Sequence, residues 1–105
     1  MPFLDTNAMP RTQKRPGWFG CIFSSPSMTF AHWDFKAGAT IHEHGHEQEE
    51  VWHIVEGELD VTIAGETTRA GPGMVAIIPA QTAHAVVAVT DGKAIVADWP
   101  LREGF

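Results

Sequence analysis

Beyond Trp18 the chain falls into eight short β-type runs: Phe19–Ser24, Met28–Phe35, Thr40–His44, Val51–Val55, Leu59–Ile63, Val75–Ile78, His84–Val89 and Ala94–Asp98. Turn residues punctuate them at Ser25-Pro26, Ala37-Gly38, Glu56-Gly57, Ala64-Gly65, Gly71-Pro72-Gly73, Pro79-Ala80 and Asp91-Gly92. Glycine tolerates positive φ and proline presets the backbone for a turn, so these pairs end strands. No segment sustains helical periodicity. Leu59-Asp60-Val61-Thr62-Ile63 alternates strictly, the pattern of a strand with one face in a core and the other in water. Asp91-Gly92 between two apolar runs predicts a tight hairpin. Short strands at this spacing in 105 residues make one all-β domain, a sandwich or small barrel, and leave no room for a second lobe.

The stretch before those runs reads differently. Residues 1–18 show no sustained period and are locally basic at Arg11, Lys14 and Arg15, which predicts an extended arm ahead of a single domain over 19–105. Such an arm is either solvated or packed on its own barrel or a second subunit. The chain as a whole is acidic, with a net charge of −6, which argues against nucleic acid as a partner. The arm holds no continuous apolar stretch for a leader or membrane span, and Cys21, the only cysteine, forms no internal disulfide. A cytoplasmic protein with no membrane partner is the expectation.

Histidine placement suggests chemistry. His42, His44 and His46 lie at alternating positions, which on a regular strand would share one face. Three imidazoles aimed one way suit a metal or a proton-transfer site, whereas the surrounding Glu43, Glu47, Glu49 and Glu50 allow a solvated His/Glu-rich loop. Spacing adds to this. Gly38, His44, His46, Glu50 and Gly57 follow G-(x)5-H-x-H-(x)3-E-(x)6-G, and after fifteen residues come Gly73, Pro79 and His84. These blocks resemble the paired motifs of the cupin superfamily, whose second block reads G-(x)5-P-x-G-(x)2-H-(x)3-N. Gln81 stands at its second glycine and Ala88 at its asparagine.

The resemblance implies a cupin jelly-roll β-barrel and one divalent transition ion held by His44, His46, Glu50 and His84. Three imidazoles and a carboxylate suit Fe, Mn, Ni, Zn, Co or Cu and poorly suit Ca or Mg. His53, out of phase with Glu50, should face away from the metal, and His32 has no evident partner.

Within the superfamily the chain is similar to small single-domain (cupin 2 type) proteins of the KdgF-like group, which act on unsaturated uronates. Met28-Thr29-Phe30-Ala31, the block His44 to Glu58, and the tail Pro100 to Phe105 carry this likeness. Glu50 stands where that group tends to have Gln, Val96 where it has an acid, and Asp98 where it has an aromatic. The resemblance implies a metal-dependent isomerase or lyase using the ion as a Lewis acid on a small sugar acid or similar enolisable carbonyl compound. A chain with no tyrosine cannot supply the pocket tyrosine that cupin lyases often use. Cupin dioxygenases also use three His and one Glu and supply an alternative; a non-catalytic small-molecule-binding cupin is a third. Asp98 is the expected proton carrier and Arg102 the carboxylate clamp. His42 and Trp52 would shape the pocket wall, with a plain core indole the other reading of Trp52. Gln81 would place an amide at the pocket mouth or stay an exposed loop side chain. Single-domain cupins resemble one another in pairing through a sheet face or N-terminal strand, and the apolar runs here predict a homodimer.

Overall fold

A computed structural model describes residues 2–103. After a single 3-10 turn at Thr6–Ala8 come ten strands: β1 (Thr12–Arg15), β2 (Trp18–Ser24), β3 (Thr29–Phe35), β4 (Thr40–His44), β5 (Glu49–Glu56), β6 (Leu59–Ile63), β7 (Glu66–Ala70), β8 (Val75–Ile78), β9 (His84–Ala88) and β10 (Gly92–Trp99). They form two antiparallel sheets, β1-β2-β3-β10-β5-β8 and β4-β9-β6-β7. From β3 onward every connection except the β6–β7 hairpin crosses from one sheet to the other, which makes a jelly roll. Among the described residues no helix is long and apolar enough to cross a membrane.

Each expected run is a strand. β1 and β7 were not expected, and both are exposed along nearly their whole length, so neither shows an apolar period. β7 is held by backbone pairing with β6 and by polar cross-strand contacts, Arg69 Nε to Asp60 Oδ1 at 2.6 Å and Thr62 Oγ1 to Thr67 Oγ1 at 2.6 Å. Within 1–18, Thr12–Arg15 pairs with β2, and Trp18 opens β2 fully buried.

The hairpin expected at Asp91-Gly92 is not there. β9 bonds to β4 and β6, whereas β10 bonds to β3 and β5, so each strand has both flanks taken and the link between them crosses sheets. Its glycine is needed for close approach instead: a Cβ on Gly92 would strike the Glu56 carbonyl, and one on Gly57 would strike the Asp91 carbonyl. The two turns thus lock against each other at one end of the barrel. The true two-residue hairpin is Ala64-Gly65, where both residues have positive φ, 50° and 84°, matching the right-handed twist of β6 and β7.

Inward residues of the two sheets meet in one core. Trp18 packs edge-on to Trp33 at 5.9 Å and to Trp52 at 5.8 Å, and against Phe35 at 5.6 Å. Each fully buried indole removes enough apolar area to be worth about 4–6 kcal/mol of transfer free energy. Leu59, Val61, Ile78, Val86, Ala94 and Val96 complete the packing. Trp52 lies at the edge of this core, and its ring nitrogen reaches out of it toward the functional side chains.

Candidate metal centre

The histidine-bearing strand β4 is irregular. Ile41 is buried opposite Val86, but the next aligned pair is His44 opposite His84, so the ladder slips between them. This bulge breaks the alternation that would have set three imidazoles on one face. Ile41 takes the inward position before the slip, His44 the one after it, and His42 is exposed with its ring 6.0 Å from that of His44. Just past the strand, the His46 carbonyl accepts the Gln81 N–H at 2.8 Å. Gln81 has a φ of 62°, the left-handed region that a glycine adopts without cost, which explains the residue type of the matching motif position. Its side chain is exposed, while its backbone holds His46 in place.

His44, His46 and His84 converge, with ligand nitrogens all within 4.8 Å of one another and ring centroids 4.3 Å (His44–His84), 5.1 Å (His46–His84) and 5.6 Å (His44–His46) apart. Nδ1 of His44 lies 2.9 Å from the His42 carbonyl, and Nδ1 of His84 lies 2.9 Å from the Thr82 carbonyl. A carbonyl can only accept, so both Nδ1 atoms donate, and Nε2 is left as the atom facing the centre. Burial, joined by Arg102, lowers the pKa of His46, and burial also lowers that of His44, which keeps these imidazoles unprotonated. Neither nitrogen of the buried-side His46 ring has a hydrogen-bond partner, an arrangement that costs free energy unless an ion takes up the lone pair.

Glu50, on β5, closes the cluster. Its carboxylate lies 3.2 Å from His84 Nε2 and 3.4 Å from His46 Nε2, and accepts from Trp52 Nε1 at 2.7 Å and from Arg102 Nη1 at 3.1 Å. Burial pushes its pKa up, but hydrogen bonds from His84, Asp98 and Trp52 outweigh burial and hold it down to about 2; the same contact with Glu50 outweighs burial at His84 and raises its pKa, so a metal ion at this Nε2 would displace a proton. Asp98, directly across the β5–β10 ladder from Glu50, is fully buried. Burial first and then the neighbouring Glu50 push it up to about 8, against the pull of Arg102. The two acids therefore titrate as a pair, with the proton favoured on Asp98 and the charge on Glu50.

Arg102 reaches the pair from the tail, which is tied across β3: its N–H donates to Thr29 Oγ1 at 2.9 Å, and that hydroxyl donates back to the Arg102 carbonyl at 3.2 Å. Its Nη1 sits between Glu50 Oε1 at 3.1 Å and Asp98 Oδ2 at 3.2 Å. Gly104 and Phe105 of that tail lie outside the described residues.

The quartet expected from spacing, with Asp98, Arg102 and Trp52, is thus one constellation, whereas His42 and Gln81 are exposed beside it. Trp52 satisfies both readings, since it is a core indole and a donor to Glu50. His53 is exposed on the outer face, and His32, also turned outward, packs edge-on to Phe23 at 5.1 Å. Sequence reasoning missed Arg15. It lines the same small cavity, about 20 Å³, with Trp33, His44, Glu50 and His84.

The family described as Cupin domain matches residues 31–100. The chain is similar to the solved structure of KdgF from Halomonas sp., with 26% identity, a TM-score of 0.91, and 98% of this chain and 96% of that one covered. An RmlC-like cupin from Shewanella frigidimarina, 23% identical with a TM-score of 0.91 over 98% of this chain and 94% of that one, shares the fold. An uncharacterized protein of Streptomyces coelicolor is 34% identical over 58 residues, 55% of each chain, so the chain matches about half the length of this curated relative.

Proposed function

The chain belongs to the cupin domain family, and we propose that it is a metal-dependent enzyme acting on a small sugar acid or similar enolisable carbonyl compound. The observation that carries this is the convergence of three imidazoles, two with Nδ1 tied to carbonyls, on a carboxylate held ionised. Such a donor set fits a divalent transition ion of the Fe, Mn, Ni, Zn, Co or Cu type. Held by His44, His46, Glu50 and His84, such an ion would supply Lewis acidity toward a substrate carbonyl.

The chain's own residues do the rest. Trp52 and Arg102 orient Glu50 and keep it charged toward His46 and His84. Asp98 holds a proton near neutral pH, which suits a proton carrier whose pKa must lie close to the working pH. His42, exposed beside His44, and Gln81, exposed with its N–H on the His46 carbonyl, would contact the substrate at the rim of the centre. Asp98→Asn keeps the neutral hydrogen-bonding form and removes the transferable proton. Turnover of a uronate-type substrate is expected to fall about 100-fold or more in this variant, with metal content by elemental analysis unchanged. Unchanged turnover overturns the mechanism. Oxygen uptake with a chelating enediol or flavonol supports the dioxygenase reading instead, and binding without turnover supports a small-molecule-binding cupin.

A homodimer and a cytoplasmic setting belong to the same reading. Outward residues of the six-stranded sheet form an apolar row, Ile77, Val51, Ala97, Phe30 and Phe23, strand against strand, with Ile77 64% and nearby Val75 50% exposed. A second copy would cover it. Light scattering at micromolar concentration should give twice the 11.5 kDa chain mass, and Ile77→Glu should shift it toward the monomer. A stable wild-type monomer contradicts the dimer. The buried free thiol of Cys21 agrees with a reducing compartment.

A further inference from the structure

Four arginines occur in the chain, and three have a carboxylate close by: Arg11 lies 3.4 Å from Asp34, Arg69 2.6 Å from Asp60, and Arg102 3.1 Å from Glu50. Arg15 alone has neither an ion pair nor a hydrogen bond from its side chain among the described residues. It is also one of the two arginines that line the metal cavity.

Local structure explains how it gets there. β1 is an exposed edge strand, but its pairing with β2 slips between Gln13 and Arg15, and the extra residue, Lys14, stays in solvent. After the slip Arg15 stands opposite Trp18, whose side chain is fully buried on the inward face. A bulge at a sheet edge thus turns one cation of a basic segment inward beside His44, His84 and Glu50. The acid in that cavity does not need it, since Glu50 already accepts from Arg102 and Trp52.

We infer that Arg15 is the anion-binding residue of this centre, taking the carboxylate of a small acid whose hydroxyl or carbonyl oxygen reaches the three imidazoles' ion. The inference rests on the metal reading given above and adds to it where the substrate's charge goes. A guanidinium offers two parallel N–H donors that match the two oxygens of a carboxylate, and a partly desolvated pair of this kind discriminates strongly against a neutral analogue. The cavity of about 20 Å³ has room for little more than a water. The body of the acid therefore stays outside, with its carboxylate on the half-buried Arg15 at the opening.

The test uses the Mn²⁺-loaded full chain, isothermal titration calorimetry, and galacturonate, glycerate and galacturonate methyl ester as probes. Arg15→Gln should weaken binding of the tighter acid 10- to 100-fold (roughly the strength of a charge-assisted hydrogen bond), leave the ester and Mn²⁺ affinities within about twofold, and be partly rescued by Arg15→Lys. Lys14→Gln removes the same charge one residue away and should stay within about twofold of wild type. Acid binding in Arg15→Gln equal to wild type, or a wild type that binds neither acid or does not prefer acid to ester, overturns the inference. Failure of the wild type to bind Mn²⁺ overturns the metal centre instead; the same acid and ester titrations on metal-free protein then decide the role of Arg15.

Discussion

Replacing His44 and His84 together by alanine is expected to abolish metal retention while leaving the β-rich circular dichroism spectrum largely unchanged. The two residues face each other across the β4–β9 ladder, and their rings are the tightest pair of the cluster at 4.3 Å. Both present Nε2 to the centre because Nδ1 is tied to a carbonyl two residues upstream, so the double variant removes two of the four donors. Structural four-ligand zinc sites bind with apparent free energies of about 10–16 kcal/mol, and on that scale losing half of the donors should weaken binding on the order of 10⁴-fold or more. The fold should survive because the core around Trp18, Trp33 and Trp52 contains neither histidine. His84 is itself buried, so a His44→Gln, His84→Gln variant that preserves volume provides the control for collapse of the site. Elemental analysis of protein purified without added metal or affinity tag gives the readout. Full occupancy in a folded double variant removes these residues from the ligand set.

The strands and the quartet were legible in the sequence for different reasons. β6 alternates because one face of it is dry, and His44, His46, Glu50 and His84 keep a spacing that only a closed sheet can bring together. β7 was not legible, since a strand exposed on both faces carries no apolar period and is recognised only by its backbone partner. Asp91-Gly92 misled because the same dipeptide serves a tight hairpin and a close crossing between sheets; what distinguishes them is the Glu56 carbonyl, distant in sequence, pressed against Gly92. The two bulges had the greatest consequence for the site. A slip between Ile41 and His44 leaves His42 exposed, and one between Gln13 and Arg15 turns Arg15 in. Each depends on the register of a pairing between strands, which no single strand's residues reveal.

Arg102→Met should destabilise the metal-free protein by about 3 kcal/mol at pH 7, a loss that changes with pH in a direction set by the two acids it bridges. Its side chain is only 17% exposed, and those of Glu50 and Asp98 are 3% and 0%, so the pairing is not a surface contact of negligible worth. Glu50, held down to about 2 from an ordinary value of 4.5, contributes stability that is present above pH 4.5 and lost as pH falls through about 2. Without the guanidinium at 3.1 Å that carboxylate ionises less readily, so the deficit should shrink as falling pH protonates Glu50 in the variant first. Asp98 has the opposite sign. Raised to about 8, its proton contributes stability fully present below pH 3.8 and lost as pH rises through about 8, where a second buried charge forms. Arg102 opposes that rise, so the deficit of the variant should widen again above pH 8. Loading with Mn²⁺ should reduce the difference at pH 7, because the ion takes over as the counter-charge of Glu50. Urea denaturation of both proteins from pH 3 to pH 9 reads all three trends, and a deficit below about 1 kcal/mol that does not vary with pH would reduce Arg102 to a peripheral ion pair.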